Sequence, residues 1–166
     1  MKPAVEVSVE AGDWSEVGNP QDLAQAAVCI AAEESGRNVA PNSEVSVLFC
    51  DDETICTLNR RWRGIDKATN VLSFPAAAGP DSAPLLGDIV IAFETSAKEA
   101  AQKGIPLRDH VAHLLIHGFL HLVGHDHAED ASAEAMEAIE RAALARLGFA
   151  DPYPAPLTEA RASTHE

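Results

Sequence analysis

Residues 110 to 127, His-Val-Ala-His-Leu-Leu-Ile-His-Gly-Phe-Leu-His-Leu-Val-Gly-His-Asp-His, constrain this chain more than any other stretch. They hold six of its seven histidines, the rest is mostly apolar, and there is no proline. At about 100° per residue, a helix sets His110, His113, His117 and His121 on one face about 80° wide. His117 and His121 are four apart, one turn from each other, and can hold a single ion. Gly124 supplies the positive φ that ends a helix and turns the chain back. That reversal delivers His125 or His127 to the same ion.

The spacing His117-x3-His121-x2-Gly124-x2-His127 is the metzincin ligand spacing, in which a third histidine follows a glycine turn. It favours His127 as the third ligand, with His125 the second choice. Three imidazoles leave a tetrahedral zinc one open position, which means bound water of lowered pKa and hydrolysis. A lone histidine on an apolar helix is more often a core residue than a ligand. Three in turn-compatible register are hard to explain as packing. His110 and His113 fit either second-sphere partners of a ligand or carboxylate, or plain helix-surface residues. One absence matters as much: a zinc peptidase of this pattern places its general-base Glu directly after the first histidine, where this chain has Gly118.

At 166 residues, with 46% hydrophobic content, the chain suits one domain with a substantial core. We expect that domain over 1–150 and an irregular tail over 151–166, where His165 is simply solvated. Cys29, Cys50 and Cys56 are odd in number and read as buried thiols of a reducing compartment. No signal-peptide core and no membrane-length apolar run is present, so a cytoplasmic protein is expected, with no membrane partner. The net charge of −14 argues against indiscriminate nucleic-acid binding. Its distribution qualifies that: Arg60, Arg61, Arg63 and Lys67 put four of twelve basic residues into eight positions, whereas 129–140 hold five acids and no base. A local basic spot on an acidic body fits a restricted, specific encounter.

Along the chain, alternation predicts strands at Val5–Val9 and Glu44–Cys50. Asn19 as N-cap, Pro20 at the first position and Gly36 at the end predict a helix over 20–35. Asp51, Asp52 and Glu53 open a second helix with Ile55, Leu58 and Trp62 on one face, closed by Gly64. Asn70–Pro75 is a short strand, 76–84 a loop, and Leu85–Ala92 a strand covered on both faces. Thr95 or Ser96 caps a helix running to Gly104, Pro106 opens the histidine helix, and Asp130–Leu147 is the last helix, closed by Gly148. The outcome is α/β: a single layer of about four strands, mostly parallel or mixed, with about five helices. Asp126 fits a group that orients a ligand or serves as base, with a cap the commoner role for Asp at a turn before a helix, and Asp88 fits a turn or strand edge better than a catalytic acid. Asn70 and Ser73 fit substrate contact or sheet pairing. Trp62 can stack a base, but its register with Ile55 and Leu58 favours core packing.

These residues carry a resemblance. The run Leu58-Asn-Arg-Arg-Trp-Arg-Gly-Ile-Asp-Lys-Ala-Thr-Asn-Val-Leu-Ser-Phe-Pro75, the Leu86-Gly-Asp-Ile89 segment and the 117–127 histidine motif resemble the YbeY family of bacterial rRNA maturation factors, over about Val45 to Tyr153. The family usually has Tyr where His125 stands and Pro where Ala68 stands. The resemblance implies a single-strand-specific, zinc-dependent endoribonuclease that matures the 3′ end of 16S rRNA and contributes to ribosome quality control. It implies one zinc ion, an rRNA precursor as substrate, and the ribosome or ribosomal proteins as partners. Carried over position by position, the metal ligands are His117, His121 and His127, and the functional arginine is Arg63. A planar guanidinium suits an anionic phosphate, although pairing with Asp66 or an acidic helix end would also explain it. Gly118 is no defect here, since phosphodiester cleavage leans on charge stabilisation. Two rivals stand beside this: a zinc peptidase, opposed by Gly118, and a non-catalytic assembly factor whose ion is structural and fully ligated. The residues set no oligomeric state.

Overall fold

A computed structural model describes residues 3–37, 39–40, 42–76, 85–125, 129–149 and 151–153. Four strands, β1 (Ala4–Val9), β2 (Glu44–Cys50), β3 (Val71–Pro75) and β4 (Leu85–Ala92), form one sheet in the order β1-β2-β4-β3. β1, β2 and β4 run parallel, and β3 lies antiparallel to β4 at the edge. Five α-helices accompany them: α1 (Pro20–Ser35), α2 (Asp52–Arg63), α3 (Phe93–Lys103), α4 (Leu107–Leu122) and α5 (Asp130–Leu147). The α/β mixed-sheet expectation is met. The expected loop over 76–84 lies, apart from Ala76, outside the described residues.

The larger core lies between one face of the sheet and α1, α4 and α5, and includes Val45, Val47, Phe49, Ile89, Ile91, Leu115 and Phe119. A smaller one, of Cys50, Ile55, Leu72, Val90 and Ala92, lies on the opposite face under α2. Alternation along β4 thus sends Ile89 and Ile91 one way and Val90 and Ala92 the other, as a strand covered on both faces must. α4 packs on β3 and β4 and against α1, α3 and α5, which makes it the most enclosed helix of the fold. Arg37 holds its C-terminal end, donating from Nη1 to the Val123 carbonyl at 3.1 Å.

Most helix ends follow their local signals. The Asn19 side chain accepts from Asp22 N at 3.1 Å, and Asp51 accepts from Thr54 N at 2.9 Å. The start of α3 does not. It begins at Phe93, directly off β4, and neither Thr95 nor Ser96 caps it. The cap comes from α2: Asp52 accepts from Thr95 N at 3.0 Å and from Thr95 Oγ1 at 2.8 Å. In return Glu94 accepts from Asp52 N at 2.7 Å. A cap supplied from another helix leaves no local sequence signal.

Two further expectations change. Trp62 is not core: it stands 65% exposed on the last turn of α2, where it borders the groove over Phe74 and Val90 without filling it. Only Cys50 of the three thiols is fully buried, and burial together with nearby carboxylates pushes it up to about 12; Cys29 and Cys56 are half-buried, and none is in a disulfide. None of the described helices is long and apolar enough to cross a membrane.

Gly87 carries the closest packing demand. Its φ is +148°, and a Cβ there would run into the Phe74 carbonyl oxygen and come within 2.7 Å of Leu122 Cδ2. Gly87→Ala is expected to cost about 3 kcal/mol, measured by chemical denaturation, since overpacking and backbone strain add; a change below the error of the melt would contradict this.

His110 gives a pH prediction. It is 2% exposed, with Nε2 2.8 Å from Glu99 Oε1, and its Nδ1 has no partner among the described residues. Burial lowers its pKa below the ordinary 6.5, and the Glu99 contact only partly opposes that. The folded state therefore binds fewer protons than the unfolded chain below pH 6.5, and stability falls as pH drops from there toward the lower folded value. Urea melts of His110→Gln should show a shallower acid slope than the parent; an identical slope would remove His110 as its source.

Candidate metal centre

The apolar side of α4 anchors the helix, and its polar stripe follows from the three- and four-residue spacing of the histidines. His117 Nε2 and His121 Nε2 lie 3.2 Å apart. Two nitrogens bound to one tetrahedral zinc at about 2.0–2.1 Å would stand about 3.3–3.4 Å from each other, so the pair suits a shared ion. No group of three or more His, Cys, Asp or Glu side chains suited to a metal occurs among the described residues. His127, the expected third ligand, and Asp126 lie outside the described residues, as does His165.

The tautomer of His117 is set by Glu140 on α5. This carboxylate is 1% exposed and accepts at Oε2 from His117 Nδ1 at 2.7 Å. Its Oε1 accepts from His113 Nε2 at 2.8 Å and from the Tyr153 hydroxyl at 2.5 Å. Burial acts to raise the Glu140 carboxyl, but the hydrogen bonds from His113 and His117 outweigh it and hold the group down to about 2. An ionised carboxylate only accepts, so both imidazoles must donate. With its proton on Nδ1, His117 presents the Nε2 lone pair toward His121, which is how a histidine is prepared for a metal. Burial, then the Glu140 charge, raises the Tyr153 phenol, which stays protonated and donates.

Arg63 reaches this place from the other side of the sheet. It projects from the last turn of α2, and its Nη2 donates to the carbonyl of Ser73 on edge strand β3 at 2.7 Å. It does not take the alternative partner: Asp66 pairs with Arg60, at 3.3 Å. Arg63, Asn70, Ser73, His117 and His121 line one cleft of about 270 Å³. Asn70 is held from behind, donating to Glu99 Oε1 at 2.9 Å, the same oxygen that faces His110. His110 and His113 are therefore not surface residues; each contacts a carboxylate.

Gly118 is tightly enclosed. A Cβ there would come within 3.0 Å of Ile89 Cγ2 and 3.1 Å of Ser73 Oγ, and Ser73 Oγ already donates to the Gly118 carbonyl at 2.9 Å. A peptidase base at this position would have to push Ile89 and Ser73 aside. His125 points elsewhere with one ring nitrogen: its Nδ1 lies 3.5 Å from Arg37 Nη2.

Sequence reasoning missed Glu140, Glu99 and Tyr153. For Glu140 a signal existed, since it shares the buried stripe of α5 with Met136, Ala143 and Leu144. A carboxylate at a core position of an amphipathic helix needs a cationic or donor partner.

The chain matches the family model described as endoribonuclease YbeY over residues 9–148. A relative named endoribonuclease YbeY from Methylocella silvestris is 54% identical over 157 residues, covering 95% of this chain and 89% of its own. Another of that name, from Rhizobium meliloti, is 49% identical over 157 residues, covering 90% of this chain and 94% of its own. In fold, the chain is similar to a solution structure of a Thermotoga maritima protein, with a TM-score of 0.56 at 22% identity, covering 91% of this chain and 99% of that one. A match this long, with identity near half over almost the whole of both chains, shows that this chain belongs to the YbeY family of endoribonucleases.

Proposed function

We propose that this chain is a zinc-dependent, single-strand-specific endoribonuclease that works in the cytoplasm on the ribosome's RNA. It matures the 3′ end of the 16S rRNA precursor and takes part in ribosome quality control. The observation that carries this reading is the convergence of Arg63 with the His117–His121 pair on one cleft. His117, His121 and His127 hold the ion, and Arg63 is the catalytic arginine. When bound, zinc supplies Lewis acidity at a phosphoryl oxygen.

The chain's own groups do the rest. Arg63 is fixed by the Ser73 carbonyl through one N–H. Its remaining N–H groups form a planar fork for the non-bridging oxygens of a phosphodiester, whose charge rises toward the transition state. Asn70, held by Glu99, presents its amide at the cleft wall. Glu140 keeps the His117 proton on Nδ1, so that nitrogen never competes for the ion. The peptidase alternative is disfavoured by the enclosure of Gly118 between Ile89 and Ser73.

Cleavage of a single-stranded rRNA-precursor fragment should fall about 100-fold or more in Arg63→Ala and in His121→Ala, with both variants still folded. Parental rates in both would show that the activity resides elsewhere.

Glu140→Gln, which keeps the shape but loses the charge, should weaken zinc binding about 10–100-fold in competition against a chelator. Unchanged affinity would mean that Glu140 serves packing alone.

A further inference from the structure

Trp62 is the most exposed large hydrophobic residue among those described, at 65%. It borders a groove of about 330 Å³ whose other walls are Leu58, Phe74, Val90 and Asp88. Asp88 is the exposed, polar wall of this groove, on the same face of β4 as Val90. An indole left in water beside an apolar groove is costly unless something covers it. The charge around it indicates what. Arg60, Arg61, Arg63 and Lys67 are all exposed, on a chain whose net charge is −14. Arg61 lies 5.5 Å over the Trp62 ring and Arg63 lies 5.5 Å over the Phe74 ring. Arg60 is occupied by Asp66 at 3.3 Å. Cations interleaved with aromatic faces form the pattern that binds single-stranded nucleic acid, because every base offers a π-face and every nucleotide a phosphate.

Topology joins this groove to the cleft. β3 is an edge strand, and its successive residues face opposite sides of the sheet. Ser73 turns to the α4 side, where it lines the histidine cleft, and Phe74 turns to the α2 side, where it lines the Trp62 groove. Arg63 spans both, lining the cleft while its guanidinium lies over Phe74. We infer that the Trp62–Phe74 groove is a stacking subsite for one unpaired nucleobase of the strand whose phosphate sits at Arg63, with Asp88 accepting from the base's exocyclic amine. The inference rests on the proposed RNA-cleaving role of the cleft. It adds a reason for single-strand preference: a base held in a duplex cannot enter.

The chain's two tryptophans give a direct readout, since Trp14 is 4% exposed, enclosed by Phe49 and Phe93, and only Trp62 is open to a ligand. Zinc-loaded full-length protein is rapidly mixed with increasing single-stranded oligoribonucleotide and read before the first turnover, and likewise with the same strand in a duplex. The single strand should quench tryptophan emission saturably and the duplex should not; the quench should vanish in Trp62→Phe. Trp62→Ala should raise KM for a cleavable strand about 10-fold, with a smaller change in kcat, and Trp62→Phe should restore most of it. Absence of quenching, or equal KM for parent and Trp62→Ala, would overturn the subsite even where cleavage still depends on Arg63 and His121. Loss of that dependence would instead overturn the reading of the cleft. Strands of cytosine should quench more strongly than strands of uracil, and Asp88→Leu should erase the difference; equal quenching in the parent would remove Asp88 from the subsite.

Discussion

Helix α4 has to serve as core and as reactive surface at once. Leu114, Leu115, Ile116, Phe119 and Leu120 bury it against the sheet and its neighbours, and the same sixteen residues carry four histidines. An imidazole taken out of water without a partner would undo much of what that burial contributes. The fold resolves this with two carboxylates brought in from flanking helices, Glu99 of α3 for His110 and Glu140 of α5 for His113 and His117. Toward the cleft, at His117 and His121, ring nitrogens face each other across a distance suited to an ion. Helices α3 and α5 thus do more than cover the sheet; they bring carboxylates to the imidazoles of the helix between them, and Glu140 sets the tautomer of His117.

A second constraint comes from the short edge strand β3. An edge leaves carbonyls without a ladder partner, and one of them, on Ser73, is taken by Arg63. The contact closes the edge and fixes the guanidinium within the histidine cleft. Gly118 belongs to the same arrangement: without a side chain, α4 approaches β3 and β4 closely enough for Ser73 Oγ to reach its carbonyl. The close approach that draws the histidines toward Arg63 also crowds the position where a peptidase carries its glutamate. The site and the selection against an alternative chemistry share one packing fact.

Much of this was legible in the chain itself, because the signals were local. Helix α1 runs between Asn19 and Gly36 and α2 between Asp51 and Gly64, as cap chemistry dictates. The register of His117 and His121 follows from helical periodicity alone, and the segment 58–75 with the histidine motif was enough to point to the family. Tertiary structure decided what depends on residues far apart in sequence. Asp52 caps α3 from 43 positions away, Glu140 orients His117 from 23 away, and Arg63 meets the cleft only because β3 ends the sheet. Trp62 had the spacing of a core residue, yet it only borders the groove over Phe74 and Val90, because how closely a helix end sits on the sheet is a tertiary matter that no periodicity encodes.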